Sequence, residues 1–481
     1  MFWRGVWGYL PANIVQGVVG FLAIVVFTRL LSPEDFGRYA LAFSVMTLVH
    51  VAVFTWLEAA MARFWAAQKT AAETAAHFAG LYRSAFLLTA IYVPAVALPL
   101  WLLPVDPAFR WALAAGLFGA PVRCLAKLAQ ERYRAAGEVA KAAGLDIFIA
   151  VGGLIIGVGF ALSGAGGAAP LAGLALAPLA ALPFILPGEL RQARNGVIDQ
   201  TQLRAYAVYG YPIAASLALA LVLASTDRFL LAAFMDTAAV GAYHAGYSIA
   251  NRTLDVLFIW LGAAGTPALV MALERGGKKR LAAAAREQAE TLILIGLPAA
   301  VGVALVARPM AQFMIGEDLR DAAALITPWI ALSALLSGLT VYYFHQAFTL
   351  GRKTGLLLVA MIVPAAANVV LNVVLIPRFG VLGAAWATAA SFGFGLAASW
   401  ALGRRVMPLP VPWETLVRCG IASALMAAAV LPLPAIGGFA ELMLDASVGA
   451  VVYAAAALTL NAAGVRDLAL RLLARRRSAL A

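Results

Sequence analysis

The chain has 481 residues, of which 63% are hydrophobic and 12% are charged, and its net charge is +12. Soluble domains contain about 25% charged residues. A chain this poor in charge cannot cover the surface of a water-soluble protein of its length, so that class is excluded. The mean hydropathy of +0.90 predicts an integral membrane protein instead.

Apolar stretches of membrane-spanning length recur along the whole chain. A spanning helix needs about 20 apolar residues, whereas barrel strands would appear as alternating segments of about ten, so the sequence predicts an all-α protein. Fourteen candidate spans follow in chain order: 8–30, 39–60, 83–103, 111–131, 142–163, 167–187, 206–232, 240–268, 290–308, 322–346, 355–376, 381–402, 415–434 and 443–463. The fourth, sixth, eighth and thirteenth are the weakest, which leaves 12–14 transmembrane helices.

Basic residues are distributed unevenly between the two sides of these spans. With a cytoplasmic N-terminus, 25 of the 35 Lys and Arg residues lie at cytoplasmic positions and six lie on the other side. Residues 278–280 and 475–477 are examples of the cytoplasmic clusters. This excess is the positive-inside pattern of membrane proteins. It predicts that both termini are cytoplasmic.

The chain also repeats itself. Residues 36–39 (Phe-Gly-Arg-Tyr) follow the first span, and residues 240–243 (Val-Gly-Ala-Tyr) follow the seventh. A second match joins residues 134–137 to residues 348–351, after the fourth and tenth spans. The repeating unit is therefore six spans.

A repeat with an even number of spans keeps both copies in the same orientation. This arrangement predicts two parallel six-helix bundles related by an axis along the membrane normal, an architecture that transporters use. We predict an N-terminal lobe at residues 1–205 and a C-terminal lobe at residues 206–403. Residues 404–481 would add two further transmembrane helices and a basic cytoplasmic tail.

Four motifs occur at defined points of this bundle: residues 28–39 after the first span, Leu57-Glu58 with Arg63-Phe64 at the end of the second, Asp227-Arg228 with residues 240–243, and residues 377–385 between the eleventh and twelfth. In this order they resemble motifs of the polysaccharide flippases, a branch of the multidrug/oligosaccharidyl-lipid/polysaccharide (MOP) exporter superfamily. The resemblance covers roughly residues 5–400.

The resemblance implies two six-helix lobes that enclose a central cavity and work by alternating access. It implies a flippase that moves a polyprenyl-diphosphate-linked oligosaccharide from the cytoplasmic to the outer leaflet of a bacterial inner membrane, during polysaccharide biosynthesis. The expected partners are this glycolipid and membrane lipids, with a glycan polymerase and glycosyltransferases as further candidates and no nucleic acid.

Such a cargo needs a cationic path, because a diphosphate must cross about 30 Å of hydrocarbon. Four basic residues lie deep within the predicted spans: Arg123 and Lys127 in the fourth, Arg228 in the seventh and Arg252 in the eighth. Each costs about 2.5–3.5 kcal/mol at the centre of a bilayer. Arg123 and Lys127 are four residues apart and share one helix face. We predict that these four residues bind the diphosphate and sugars.

The alternative interpretation is structural. Three acids stand within four residues of one of these cations: Glu131, Asp227 and Asp255. They permit ordinary ion pairs, so Asp227 and Asp255 are predicted to have a gating or structural role. Glu58 and Arg63, at the end of the second span, are assigned the same role.

Polar residues within the spans complete the candidate site. Asn13 and Gln16 in the first span, and Asn368 and Asn372 in the eleventh, are predicted to line the cavity or to bond between helices. The sequence contains no nucleotide-binding loop, no metal-ligand cluster and no nucleophile elbow, so no cofactor is predicted. Energy would come from an H⁺ or Na⁺ gradient, the membrane potential or mass action.

Other functions remain open at this point. Within the superfamily, the cargo could be a peptidoglycan lipid precursor or a small-molecule cation carried by an antiporter. Four deep cations against two deep acids favour an anionic cargo. A membrane enzyme such as a glycan polymerase or ligase is a remote alternative, because the longest non-cytoplasmic loop, around residues 309–321, is short.

Overall fold

The computed structural model describes residues 2–467 and 469–471, and this part of the chain is almost wholly helical. Twelve candidate membrane spans lie among these residues. The chain is therefore a multi-pass membrane protein, as its composition predicts. The basic cluster at residues 475–477 lies outside the described residues.

The first compact unit, Met1–Gly241, contains seven long helices in its described part. They are α1 (Phe2–Leu30), α2 (Pro33–Phe64), α3 (Ala71–Leu102), α4 (Pro107–Ala135), α5 (Val139–Leu162), α6 (Ala169–Ala193) and α7 (Gln200–Phe234). All seven coincide with the first seven predicted spans. Within the unit, α2 packs against α4 and α7, and α6 packs against α4 and α5.

Local sequence signals set where these helices begin. The Ser32 hydroxyl accepts a hydrogen bond from the backbone N–H of Asp35, and Pro33 occupies the first turn of α2. Thr70 and Glu73 form a reciprocal capping box at the start of α3. Such caps satisfy backbone donors that have no partner within the helix.

Helices α5 and α6 approach each other through glycines. A Cβ placed on Gly173 of α6 would lie 2.1 Å from the carbonyl oxygen of Gly153 and 2.8 Å from the backbone nitrogen of Gly157, both on α5. Only glycine permits this separation. Small residues at such contacts are how membrane helices gain van der Waals packing.

We expect Gly173→Ala to destabilise the protein by about 1–3 kcal/mol, because the added methyl group forces α5 and α6 apart. Gly188 of α6 is the matched control, since a Cβ there would meet nothing within 4 Å. Gly188→Ala should be neutral or stabilise the helix by up to about 1 kcal/mol. Thermal unfolding of both variants in detergent measures the difference, and equal stabilities would contradict the packing argument.

The two copies of the repeated motif contain glycines that lie close together. A Cβ on Gly37 would lie 1.7 Å from the carbonyl oxygen of Thr237 and 3.0 Å from the backbone nitrogen of Gly241. A Cβ on Gly241 would in turn lie 2.2 Å from the carbonyl oxygen of Pro33. Gly37 and Gly241 therefore have the same role in the two copies of the motif. Each lacks a side chain at the point where the starts of the two helices approach each other most closely.

The second compact unit is Ala242–Ala481. Its described elements are α8 (Thr237–Leu305, beginning in the first unit), α9 (Ala307–Met314), α10 (Arg320–Leu339), a π-helical segment (Thr340–Phe344), α11 (Gln346–Leu350), α12 (Thr354–Val406), α13 (Trp413–Val430) and α14 (Gly438–Thr459). Because α7 packs against α2, it belongs to the first unit, and the division between the units falls after it, at residue 241. The lobe boundaries predicted from the repeat stay a prediction.

Two elements of the second unit are hairpins of helices. At 1.5 Å per residue, α8 would be about 100 Å long, far more than one crossing. It breaks at Gly277 (φ 61°), and Gly265 packs against Gln288 across this break. In the same way α12 breaks at Gly380 (φ 57°), within the motif at residues 377–385. With both hairpins counted as two crossings, the described residues contain the fourteen predicted spans.

One predicted loop contains a helix. Residues 309–321 were expected to connect two spans as the longest non-cytoplasmic loop, but α9 ends within them at Met314 and a 3₁₀ turn follows at Glu317–Leu319. The buried positions of α9 include Ala307, Met310 and Met314. Their spacing is that of an amphipathic helix, and this apolar face packs against α10 and α14.

Candidate functional site

The candidate site lies in the first unit, between α2 and α4. Tyr39, Met46 and His50 recur along α2 at intervals of seven and four residues, which places them on one helix face. Met46 is buried and contacts Gly116 of α4. The close packing of α2 and α4 brings this face beside Arg123 of α4.

Arg123 is half-buried against α2. Its Nη1 atom is 3.7 Å from Sδ of Met46, and Tyr39 and Glu58 lie within its electrostatic range. A thioether is a weak acceptor, and a guanidinium carries five N–H donors. Arg123 therefore retains donors for a ligand.

Lys127 lies one turn further along α4 and is also half-buried. It forms no hydrogen bond or ion pair with the described residues. Glu131, which could have neutralised it, forms a salt bridge of 2.8 Å with Arg134 instead. Of the predicted cations, Arg123 and Lys127 are the two that the structure places side by side.

Glu58 is held by a residue that the sequence analysis missed. Its Oε1 atom lies 2.8 Å from Nε2 of His50, two turns earlier on α2. His50 is buried, and its Nδ1 atom has no hydrogen-bond partner among the described residues. Arg63, in contrast, is exposed in the last turn of α2, with its guanidinium 5.9 Å from the ring of Phe64. The gating role predicted for Glu58 and Arg63 stays a prediction.

Arg228 and Asp227 are buried on α7. The Arg228 guanidinium is 3.4 Å from the hydroxyl of Ser44 on α2, and Oδ1 of Asp227 accepts the Arg228 backbone N–H at 3.0 Å. Arg228 thus lies at the contact between α7 and α2.

The remaining predicted charges, Arg252 and Asp255, are in the second unit. Both are exposed on α8. Asp255 accepts a hydrogen bond from the Asn251 amide, and no ion pair joins it to Arg252 within the described part of the chain. The spacing of three residues allowed that pair, but the structure does not form it.

The four predicted polar residues fall into two groups. Asn13 and Gln16 are exposed on α1. Asn368 and Asn372 are buried on α12, where the Asn372 amide donates to the Asn368 carbonyl at 2.8 Å. The side-chain oxygens of both have no partner among the described residues. Their predicted roles in a cavity stay a prediction.

A buried ionic network joins α3, α4 and α6 at one end of the first unit. Nε and Nη2 of Arg132 donate to Oε1 of Glu189 at 3.2 and 2.6 Å, and the Tyr82 hydroxyl donates to Oε2 of the same carboxylate at 3.1 Å. Arg132 also contacts Glu138 at 2.6 Å. A hydrogen bond from Lys141, assisted by Arg132, holds the pKa of the Glu138 carboxyl below its usual range.

A second set of pairs lies beside this network. Asp146 of α5 accepts hydrogen bonds from Gln130 at 2.8 Å and from Arg134 at 2.9 Å, both on α4. Asp146 is buried. The charges of Arg134 and Asp146 neutralise each other. The arrangement therefore holds α4 and α5 together and offers no site for an anion.

The first unit also has a groove of about 800 Å³ between α4 and α6. Its lining is apolar apart from Asp35 and Arg38 at one end. Arg38 is already paired with Asp35 at 2.9 Å and with Asp106 at 3.0 Å. The groove therefore lacks an available cation, and it does not include Arg123.

A sequence model of the family described as "Polysaccharide biosynthesis protein" matches residues 26–324, which is more than half of the chain. The chain belongs to this family. None of the curated proteins matches it significantly.

Solved structures show the fold of the chain. It is similar to "Lipid II flippase MurJ, inward closed conformation", with a TM-score of 0.73, 12% identity, and coverage of 96% of this chain and 99% of that chain. It is also similar to the inward-facing and outward-facing conformations of a multidrug resistance MATE family transporter of the MOP superfamily. The inward-facing structure has a TM-score of 0.59 and 15% identity, with coverage of 81% of this chain and 94% of that chain. The outward-facing structure has a TM-score of 0.57 and 14% identity, with coverage of 83% of this chain and 93% of that chain.

The family match confirms the predicted family, and the solved structures confirm the predicted all-α fold, which the chain shares with transporters of the MOP superfamily. At such low identities the structural likeness speaks to the fold alone. The cargo and the residues that bind it must therefore be argued from the side chains of this chain.

Proposed function

We propose that this protein is a flippase that moves a polyprenyl-diphosphate-linked oligosaccharide from the cytoplasmic to the outer leaflet of a bacterial inner membrane. Arg123 and Lys127 carry this proposal. They are two half-buried cations on one face of α4, and neither is neutralised by an ion pair with a described residue. Each would cost about 2.5–3.5 kcal/mol in hydrocarbon, a cost that an anionic ligand offsets.

The chemistry of the pair suits a diphosphate. Arginine donates two parallel hydrogen bonds to phosphate oxygens, and lysine adds a compact positive charge. Glu58, held by His50, is an acid within electrostatic range of Arg123. We infer that the negative charge of Glu58 partly offsets the positive charge of Arg123 while no cargo is bound. When cargo enters, the diphosphate would become the anion that interacts with Arg123.

The transport step follows from the solvation of the cargo. The diphosphate and sugars need a hydrated, cationic path, whereas the polyprenyl chain stays in hydrocarbon throughout. We infer alternating access driven by an ion gradient or the membrane potential, with no covalent step, since no enzymatic chemistry is needed to move a lipid between leaflets. The positive-inside pattern supports cytoplasmic termini.

A peptidoglycan lipid precursor is the second candidate cargo, because the solved structure with a TM-score of 0.73 is named as a lipid II flippase. Both cargoes carry the same diphosphate group, so Arg123 and Lys127 suit either. The membership of the chain in a polysaccharide biosynthesis family favours the oligosaccharide. A cation antiporter would require a site dominated by acids, and α4 presents two cations.

A flipping assay in sealed proteoliposomes tests the cargo. Vesicles would contain a polyprenyl-diphosphate oligosaccharide, the peptidoglycan lipid precursor or an encapsulated organic cation. We expect the oligosaccharide lipid to reach the opposite leaflet faster than in vesicles without protein, and the organic cation to remain inside. Movement of the organic cation alone would overturn the proposal, and movement of the peptidoglycan precursor alone would assign the second candidate.

A further inference from the structure

The second unit contains an apolar cavity of about 450 Å³ among α8, α9, α13 and α14. Its lining includes Thr253, Val303, Met310, Met426, Asp445 and Tyr453. One member of this lining, Asp445, is an acid. It belongs to none of the contacts described above, and it lies within a candidate membrane span.

Asp445 is buried without a counter-charge. Its exposed fraction is 8%, and it is seven residues into α14, which places it about 10 Å along the helix axis. It forms no hydrogen bond or salt bridge with the described residues. Among the described residues, the charged group that acts on it is Glu441, which carries the same sign.

Glu441 provides an internal comparison. It is one turn earlier on α14 and equally buried, with an exposed fraction of 7%. Its Oε2 atom accepts the backbone N–H of Gly437 at 2.6 Å. Glu441 therefore has a partner that stabilises its ionised form at the helix start, and Asp445 does not.

The other polar groups around the cavity already donate their hydrogens elsewhere. The Tyr453 hydroxyl donates to the carbonyl of Leu294 at 2.7 Å, and the Thr253 hydroxyl donates to the carbonyl of Ile249 at 2.8 Å. No basic side chain from α8, α9 or α13 is part of the described lining. Nothing there compensates an ionised Asp445.

A proton is the ligand that this chemistry favours. An unpaired carboxylate at membrane depth is costly, and binding a proton removes its charge. A metal ion would need several oxygen ligands, whereas this lining offers one carboxyl group and two hydroxyl groups. We propose that Asp445 is a proton-binding site that couples transport to the proton gradient. The coupling rests on the transport function proposed above.

The first test measures the site without any cargo. N,N′-Dicyclohexylcarbodiimide is a lipophilic reagent that modifies protonated carboxyl groups. The full-length protein would be treated over a range of pH and the modified residues mapped by mass spectrometry. We expect Asp445 to react at acidic and neutral pH, with the reaction falling at alkaline pH, and Glu441 to react far less. An Asp445 that stays unmodified at every pH would overturn the proposal.

The second test measures coupling. Proteoliposomes with and without an imposed pH gradient would compare the wild type, Asp445→Asn and the matched control Glu441→Gln. We expect the gradient to accelerate glycolipid transport several-fold for the wild type and for Glu441→Gln, and to leave the Asp445→Asn rate unchanged. If Asp445→Asn responds to the gradient as the wild type does, the proposed coupling is wrong.

The two tests separate this inference from the proposed function. The labelling test uses the wild-type protein. It therefore shows whether Asp445 binds a proton even if the Asp445→Asn variant fails to fold. If Asp445 titrates but the wild type moves no glycolipid under either condition, the proton site stands and the flippase function fails.

Discussion

Replacing Arg123 and Lys127 together by alanine is expected to lower glycolipid transport roughly 100-fold or more, since hydrogen bonds to charged groups contribute about 1.5–3 kcal/mol each. The physical reason is that the diphosphate would lose both positive charges that α4 offers it. The measurement is the rate of flipping in sealed proteoliposomes, at equal amounts of folded protein.

The matched control is Lys278→Ala with Lys279→Ala, which removes the same charge from exposed positions beside Gly277. This control should transport at close to the wild-type rate. Arg123→Lys should fall between the wild type and the double variant, because the charge remains and the two parallel donors are lost. A folded double variant with wild-type transport would remove Arg123 and Lys127 from the cargo path.

The second large effect is on stability. Glu189→Gln is expected to lower the free energy of unfolding by about 1.5–3 kcal/mol, as when a buried hydrogen bond between charged groups is lost. Glu189 is 1% exposed and accepts hydrogen bonds from Arg132 and Tyr82. The amide would remove the buried carboxylate of the pair and leave the Arg132 guanidinium with Glu138, its more exposed partner. Equilibrium unfolding by sodium dodecyl sulfate in mixed micelles measures the change.

An exposed pair supplies the comparison for this variant. Arg286 and Glu290 form a salt bridge of 2.9 Å on α8 with side-chain exposures of 56% and 22%. Glu290→Gln makes the same chemical change and should cost less than about 1 kcal/mol. If Glu189→Gln and Glu290→Gln unfold alike, the buried network does not hold α3, α4 and α6 together.

The spans were predictable because one local property, the length of an apolar run, decides whether a segment crosses the bilayer. The turn at Gly380 was predictable for a similar reason, since its motif is contiguous. The helix α9 was missed because eight residues are too few to register as a span. Its buried Ala307, Met310 and Met314 nevertheless show helical spacing that a search for short amphipathic segments would find.

The candidate site was predictable in part. Arg123 and Lys127 could be proposed from the sequence because a basic residue within an apolar run is conspicuous, and their role in binding stays a prediction. His50 was missed because its role depends on Glu58, eight residues away. Arg132 and Glu189 are 57 residues apart and lie at helix ends, where charges are ordinary, so only the packing of α4 against α6 shows that they pair. Asp445 was missed because it lies at the very start of the predicted span 443–463, where a charge is ordinary, whereas the helix begins earlier, at Gly438.

The helix that carries Arg123 and Lys127, α4, is fastened at both ends. At one end Arg132, Glu189 and Asp146 tie α4 to α5 and α6. At the other, Arg38 links α2 to Asp106 just before α4. We expect a bundle clamped in this way to resist shear between its own helices and to move as one block. If the proposed cargo binds Arg123, it would then be carried by displacement of the whole block rather than by the movement of single helices.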